Sequence, residues 1–201
     1  MSVEQFTTLA ASVEAEFKDK GSRFLAFAYP VQTETAIRQE VLYKREQHHK
    51  ARHWCYAWRL GVDGNRFRAN DDGEPAGSAG RPILGQIDSA ELTNVLVIVV
   101  RYFGGTLLGV PGLIHAYKTV TALALQSAEK IQQDVCRQLQ LSCDYAHLHE
   151  AMRWCKQQQV TILSQDLQQH CQLEVSVPLA RFQSGLAALQ QLRTINVKLI
   201  E

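Results

Sequence analysis

Residues 95–117, "VLVIVVRYFGGTLLGVPGLIHAY", decide how the first half of this chain folds. The stretch opens with six unbroken aliphatic residues, mostly the β-branched types that favour strands. Six residues are far short of the about 20 that a membrane-spanning helix needs. Asn94–Arg101 therefore reads as a buried strand, which ends in Arg101, Tyr102 and Phe103. A loop with Gly104, Gly105 and Gly109 follows. Pro111 then opens a helix predicted over Pro111–Lys130, as proline does in a first turn, with Leu113, Tyr117, Val120, Leu123 and Leu125 as core candidates. Two readings of the glycine loop stand side by side. Outward-pointing N–H groups and the helix dipole could hold an anion. Alternatively, Gly104, Gly105 and Gly109 serve a tight turn that needs positive φ. The loop matches neither common phosphate-binding pattern.

Upstream, Val13–Phe17 and Arg23–Val31 read as strands joined by "KDKG", and Thr33–His49 as a helix with Ile37, Val41 and Leu42 inward. Trp54–Leu60 and Arg66–Asn70 form a predicted hairpin about "GVDGN", which carries the Asp-Gly turn pair. Lys44–Arg68 holds seven Lys/Arg against two acids, a local +5 in a chain whose formal total is +1. Basic residues interleaved with Trp54, Tyr56, Trp58 and Phe67 suit single-stranded nucleic acid: charges for phosphates, rings for bases. Lys50, Arg52, His53, Arg59, Arg68 and Arg101, with the three loop glycines, are the candidate nucleic-acid or anion site. In the competing reading the rings are core, because Trp54, Tyr56, Trp58 and Leu60 share one strand face. His53 and Cys55 share the other. Two convergent ligands are too few for zinc, and no orienting acid is evident for a Cys–His nucleophile pair.

"DDGEPAGSAGRPIL", Asp71–Leu84, packs three acids and three glycines ahead of an apolar turn. Asp71, Asp72 and Glu74 are candidate magnesium ligands, since magnesium takes one or two carboxylates plus waters. In the alternative they end a strand and Ser78 caps a helix turn, with Ala76–Ile87 helical at least in part.

The second half alternates in period 2 and period 3.6. Strands are predicted at Arg137–Tyr145, Val160–Leu167, Gln169–Val177 and Asn196–Ile200. Helices are predicted at Ala146–Gln158 and after Pro178. The order β-α-β-β-α-β is the ferredoxin-like pattern. No titratable cluster appears there, which points to packing or binding. The expected boundary gives domains 1–133 and 134–201 in an α+β chain. Five cysteines, an odd number without C-x-x-C spacing, read as small apolar residues of a reducing compartment. The amino terminus lacks a basic signal region, so the expectation is a cytosolic protein with no membrane association.

Several ordered blocks over residues 13–130 carry a resemblance: "KGSRFLAFAYPV", "ARHWCYAWRLG", "DDGEPAGSAGRPIL" and "VVRYFGG…LG…GL…AY". Together they resemble the IMPACT family, in its bacterial two-domain YigZ type. The resemblance implies a first domain with the fold shared by a small-subunit ribosomal protein domain and the GHMP kinases. It implies a second domain similar to the last domain of translocating elongation factors. It also implies a non-enzymatic regulator of translation, whose partner is RNA, the ribosome or a translation-associated protein, with no cofactor. The rival is a magnesium-dependent enzyme acting on a phosphorylated small molecule or nucleotide. Many relatives carry a lysine in the loop and a basic residue after the helix start. Here Leu107, Val110, Pro111, Gly112 and His115 occupy that region, so fewer fixed cations face the loop.

Overall fold

The computed structural model describes residues 3–168 and 170–200. It is a mixed α+β chain with several sheets. Contacts divide it between Gln133 and Asp134 into two compact units, the segment up to Gln5 belonging with the second.

The first unit is built on five strands: β2 (Val13–Asp19), β3 (Ser22–Pro30), β4 (His53–Leu60), β5 (Arg66–Asn70) and β6 (Val95–Tyr102). Their order is β2-β3-β6-β4-β5. β1 (Gln5–Leu9) and β7 (Lys130–Asp134) pair as a separate ladder; neither is apparent in the sequence pattern. Central β6 is buried from Val95 to Arg101 because both of its faces are covered. That explains the continuous aliphatic run, which a half-exposed strand would have broken into alternation.

One face packs on α2 (Gly80–Ser89) and α3 (Gly109–Ser127), with Phe24, Cys55, Ala57, Val97, Val99, Ile83, Leu113 and Tyr117 in its core. The opposite face packs on α1 (Glu34–Gln47) through Phe27, Ile37, Trp58, Leu60, Leu96 and Ile98. Trp54 and Tyr56 pack against this second core, so three of the hairpin rings are structural, as their shared strand face implied. Thr33 caps α1 by accepting the Ala36 N–H at 3.1 Å. Lys44 and Arg45 stand in its last turn, where the helix dipole favours cations.

In the second unit, β8 (Cys136–Asp144), α4 (Leu148–Gln158), β9 (Thr161–Leu167), β10 (His170–Pro178), α5 (Leu179–Gln191) and β11 (Asn196–Ile200) follow one another. The sheet order is β11-β8-β10-β9. The strand predicted from Gln169 starts at His170 among the described residues. Leu139, Leu141, Trp154, Val175, Phe182 and Leu189 close one core. Trp154 donates its indole N–H to the Gly185 carbonyl at 3.0 Å. A Cβ at Gly185 would stand 3.3 Å from that ring, so glycine sets how closely the side chain and α5 approach.

The helical part of Ala76–Ile87 is α2 from Gly80, since 71–79 is occupied by turns. Leu42 and Leu123, expected to face inward, are exposed. Helix α3 ends at Ser127 because Lys130 already begins β7.

Candidate functional site

Strand register brings the pieces together. At its C-terminal end β6 places Arg101 opposite Phe24 of β3 and His53 of β4. All three lie on the face that meets α2 and α3. Arg101 therefore points inward, and its side chain retains only 6% of its exposure. Its Nη1 donates to Glu74 Oε1 at 2.7 Å, and the Glu74 side chain is 3% exposed. Tyr117 from α3 donates its hydroxyl to the same Oε1 at 2.9 Å. Cys55 Sγ lies 3.2 Å from the Tyr117 hydroxyl and 2.9 Å from the Asp71 carbonyl, so its one proton has two acceptors. On the other side, Arg101 Nη2 reaches Ser22 Oγ at 3.5 Å, and Ser22 Oγ accepts the Gly104 N–H at 3.2 Å. Glu74, Arg101, Tyr117, Cys55 and Ser22 thus form one buried polar chain tying the acidic loop, the glycine loop and the β2–β3 turn.

The acidic loop is organised by its own carboxylates. Asp71 accepts N–H groups from Gly77 at 2.9 Å, Ala79 at 3.0 Å and Gly80 at 2.8 Å. It therefore caps α2 from nine residues away. Ser78, the expected cap, donates its hydroxyl to the Pro75 carbonyl instead. Burial pushes the Asp71 carboxyl up, but the bonds from Gly77, Gly80 and Ala79 and the nearby Arg81 outweigh it and hold the carboxyl below its usual range. Asp72 accepts the Trp54 N–H at 2.7 Å and pairs with Arg45. His53 donates Nδ1–H to the Asp72 carbonyl at 2.9 Å. Each of the three candidate magnesium ligands is thus engaged by protein donors. Among the described residues, no three His, Cys, Asp or Glu side chains gather at metal-binding spacing.

The glycines divide by cause. Gly105 and Gly109 take φ of +86° and +67°, the turn requirement that the sequence suggested. Gly104 does not. A Cβ there would fall 1.8 Å from the Gly21 backbone carbon, so it is glycine because two backbones touch. No side chain caps the first turn of α3.

The candidate cations do not form one face. His53 and Arg101 lie together, with Arg52 beside them. Arg59 turns to Asp88 at 2.6 Å and to the Gly64 carbonyl. Arg68 pairs in register with Trp58, which places it on the opposite face of the sheet from His53 and Arg59. Lys50 is exposed in the turn before β4. Arg45, Arg59 and Arg66 each pair with an acid outside Lys44–Arg68, namely Asp72, Asp88 and Glu34. The local excess of +5 therefore falls to +2, because acids from elsewhere in the chain match three of its cations, which charge counting along the segment ignores.

Where α3 begins, a cavity of about 370 Å³ opens, lined by Arg52, His53, Glu74, Pro75, Arg101, Phe103, Leu107, Leu108, Gly109, Val110 and Leu113. Phe103, Leu107 and Val110 are exposed, Leu107 at 83%. The guanidinium carbons of Arg52 and Arg101 stand 6.0 and 5.6 Å from the Phe103 ring centroid. Apolar residues in a loop, "TLLGV", were the signal for this cleft, and charge counting passed over them. A larger cavity of about 650 Å³ lies on the α1 side, bordered by Glu14, Glu16, Arg23, Phe27, Lys44 and His48. There Arg23 is bonded to Glu16 at 2.7 Å and Lys44 covers Phe27 at 4.0 Å. Its cations are already occupied, so the cleft at α3 is the stronger candidate.

Known proteins are similar to this chain. The family model described as the Impact N-terminal domain matches residues 20–125. An IMPACT family member of Haemophilus influenzae is 34% identical, with 83% of this chain and 82% of that protein covered. IMPACT family member YigZ of Escherichia coli is 31% identical over 98% of both chains. The protein IMPACT homolog of Saccharomyces cerevisiae is 36% identical over 50% of this chain and 40% of its own. A crystal structure described as that of a hypothetical protein superposes with a TM-score of 0.79 at 31% identity, covering 100% of this chain and 99% of the other.

Proposed function

The chain belongs to the IMPACT family, and from that premise we propose that it is a non-enzymatic, cytosolic regulator of translation. It acts by binding RNA, the ribosome or a translation-associated protein through the cleft at the start of α3. We read the first unit as the ribosomal-protein and GHMP-kinase type of fold. We read the second, with its β-α-β-β-α-β order, as ferredoxin-like and similar to the last domain of translocating elongation factors.

The observation that carries a binding role is the state of the reactive groups. Glu74 is held by Arg101 and Tyr117, Asp71 by three backbone N–H groups and Asp72 by Trp54 and Arg45. Burial pushes the Cys55 thiol well above its usual range, against the bond to Tyr117, so it stays protonated and a poor nucleophile. What the cleft offers a partner is Arg52, Phe103, Leu107 and Val110, which are contact groups. A magnesium-dependent enzyme would have to release these carboxylates first, at the cost of the α2 cap and of a buried ion pair. No helix among the described residues is long and apolar enough to cross a membrane.

The test is co-sedimentation with ribosomes, with and without ribonuclease, for the wild type and the Arg52→Glu/Leu107→Asp variant. Both positions are exposed, so the fold is kept. The reading expects the variant to be lost from the ribosomal or partner-bound fraction. Equal recovery of the two proteins would refute it.

A further inference from the structure

Two of the buried thiols face each other. Cys143 of β8 and Cys171 of β10 are direct partners in the antiparallel register, and both belong to the core of the second unit with Leu141 and Leu173. The phase of the ladder sets their separation. Leu179 donates its N–H to the Val135 carbonyl at 2.7 Å, and Pro178, which has no N–H, stands opposite Cys136. Hydrogen-bonded pairs recur at every second residue, and the register runs unbroken from there to Cys171. Cys143 and Cys171 therefore form a hydrogen-bonded pair, whose Cα atoms stand about 5.5 Å apart. Disulfides most often span about 5.5–6 Å between Cα atoms. Cys155, the third thiol of this core, comes from α4 and not from the ladder.

We propose that Cys143 and Cys171 are an oxidative modification site, which hydrogen peroxide converts to a reversible disulfide that staples β8 to β10. The peroxide oxidises the thiol of Cys143, the more exposed of the two at 8% against 0%. This gives a sulfenic acid and one water. The Cys171 sulfur then attacks the sulfenic sulfur, the S–O bond breaks, and the hydroxyl leaves with the Cys171 proton as a second water. One peroxide thus takes two electrons from two thiols and gives one disulfide. The thiolate is the reactive form, and burial, followed by the neighbouring Cys171, pushes the Cys143 thiol up. The staple therefore closes slowly, under sustained oxidant. Opposed Cβ atoms in a ladder are about 4.5–5.5 Å apart, wider than the about 3.5–4.5 Å of a relaxed disulfide. Closure draws the strands together locally and leaves a strained bond, the kind that the dithiols of a reducing compartment reverse readily. The closed loop carries α4 and β9, so the unfolded chain loses freedom and the second unit gains stability.

The experiment uses the full-length Cys136→Ser variant, which removes the exposed thiol. The protein is treated with hydrogen peroxide, unfolded in N-ethylmaleimide to block the remaining thiols, and digested with trypsin. Cleavage leaves Cys143, Cys155 and Cys171 on the separate peptides 138–153, 154–156 and 157–181. Mass spectrometry should find 138–153 joined to 157–181 with the loss of two hydrogens, and dithiothreitol should release them. In calorimetry the second-unit transition should rise by about 5 °C on oxidation, and Cys171→Ala should abolish the rise. A bond from either thiol to Cys155 would overturn the inference. So would recovery of both thiols as maleimide adducts, or oxidation of Cys143 to the sulfinic acid without a cross-link. A cross-link that leaves the midpoint where it was, or a rise that persists in Cys171→Ala, would overturn the staple.

Discussion

Glu74→Leu should be among the most damaging single substitutions in the first unit. It removes the acceptor shared by Arg101 Nη1 and the Tyr117 hydroxyl. The guanidinium is then left buried, with Ser22 Oγ at 3.5 Å as its remaining side-chain partner. Breaking a buried pair from one side costs about 3–5 kcal/mol, because the surviving charge has lost its compensation. For a unit the size of Phe6–Gln133, each kcal/mol moves the midpoint by about 3–4 °C. The first-unit transition should therefore drop by about 10–15 °C in calorimetry. Arg101→Met should cost less, since Glu74 keeps the hydrogen bond that it accepts from the Tyr117 hydroxyl. The double variant Glu74→Leu/Arg101→Met should recover most of the loss, as hydrophobic replacement of buried pairs often does. The decisive quantity is the coupling in this double-mutant cycle. If both singles stay within about 1 kcal/mol of the wild type, or if the double variant equals their sum, the pair does not hold the two loops together.

Gly104→Ala should destabilise more than Gly105→Ala in thermal melts, because its Cβ would enter the Gly21 backbone whereas at Gly105 the space is open and only φ is strained. Gly105→Val should still lower stability without any ligand, by about 1–2 kcal/mol; an unchanged melt would contradict its positive φ. Asp71 has a folded pKa below its unfolded one, so its contribution is full above about pH 4 and is lost as pH falls through the folded value. The stability gap between wild type and Asp71→Asn should therefore shrink in acid urea titrations, and a gap constant down to about pH 2 would refute the capping role. Native thiol titration should show one fast cysteine, Cys136, since Cys55, Cys143, Cys155 and Cys171 are buried; a second fast thiol would contradict that burial.

The sequence was most informative where one residue pattern answers to one local requirement. Arg66–Asn70 and Asn196–Ile200 are strands with the bounds that their alternation and turn signals mark. The rings of "HWCYAWRL" are core because period 2 puts them on one face. Less could be read where the requirement is tertiary. β1 and β7 stabilise each other across more than a hundred residues, and neither has a strong pattern of its own. The glycine at 104 answers to the backbone at Gly21, a contact invisible along the chain. The acids 71–74 read as free ligands because nothing local reveals their partners: an α2 terminus, Arg45 and Arg101. The +5 segment misled in the same way, since three of its cations are matched by acids from elsewhere.

β5 is the outermost strand on its side of the five-stranded sheet, and four of its five residues are exposed. An open strand edge is a template on which another chain can add, and nature commonly blunts such edges with charge. Arg66 and Arg68 stand on this strand. Charged side chains on an edge strand are of the kind that discourages other chains from adding to the sheet. Neutralising them should leave the cleft at α3 intact and instead produce protein that associates with itself as its concentration rises.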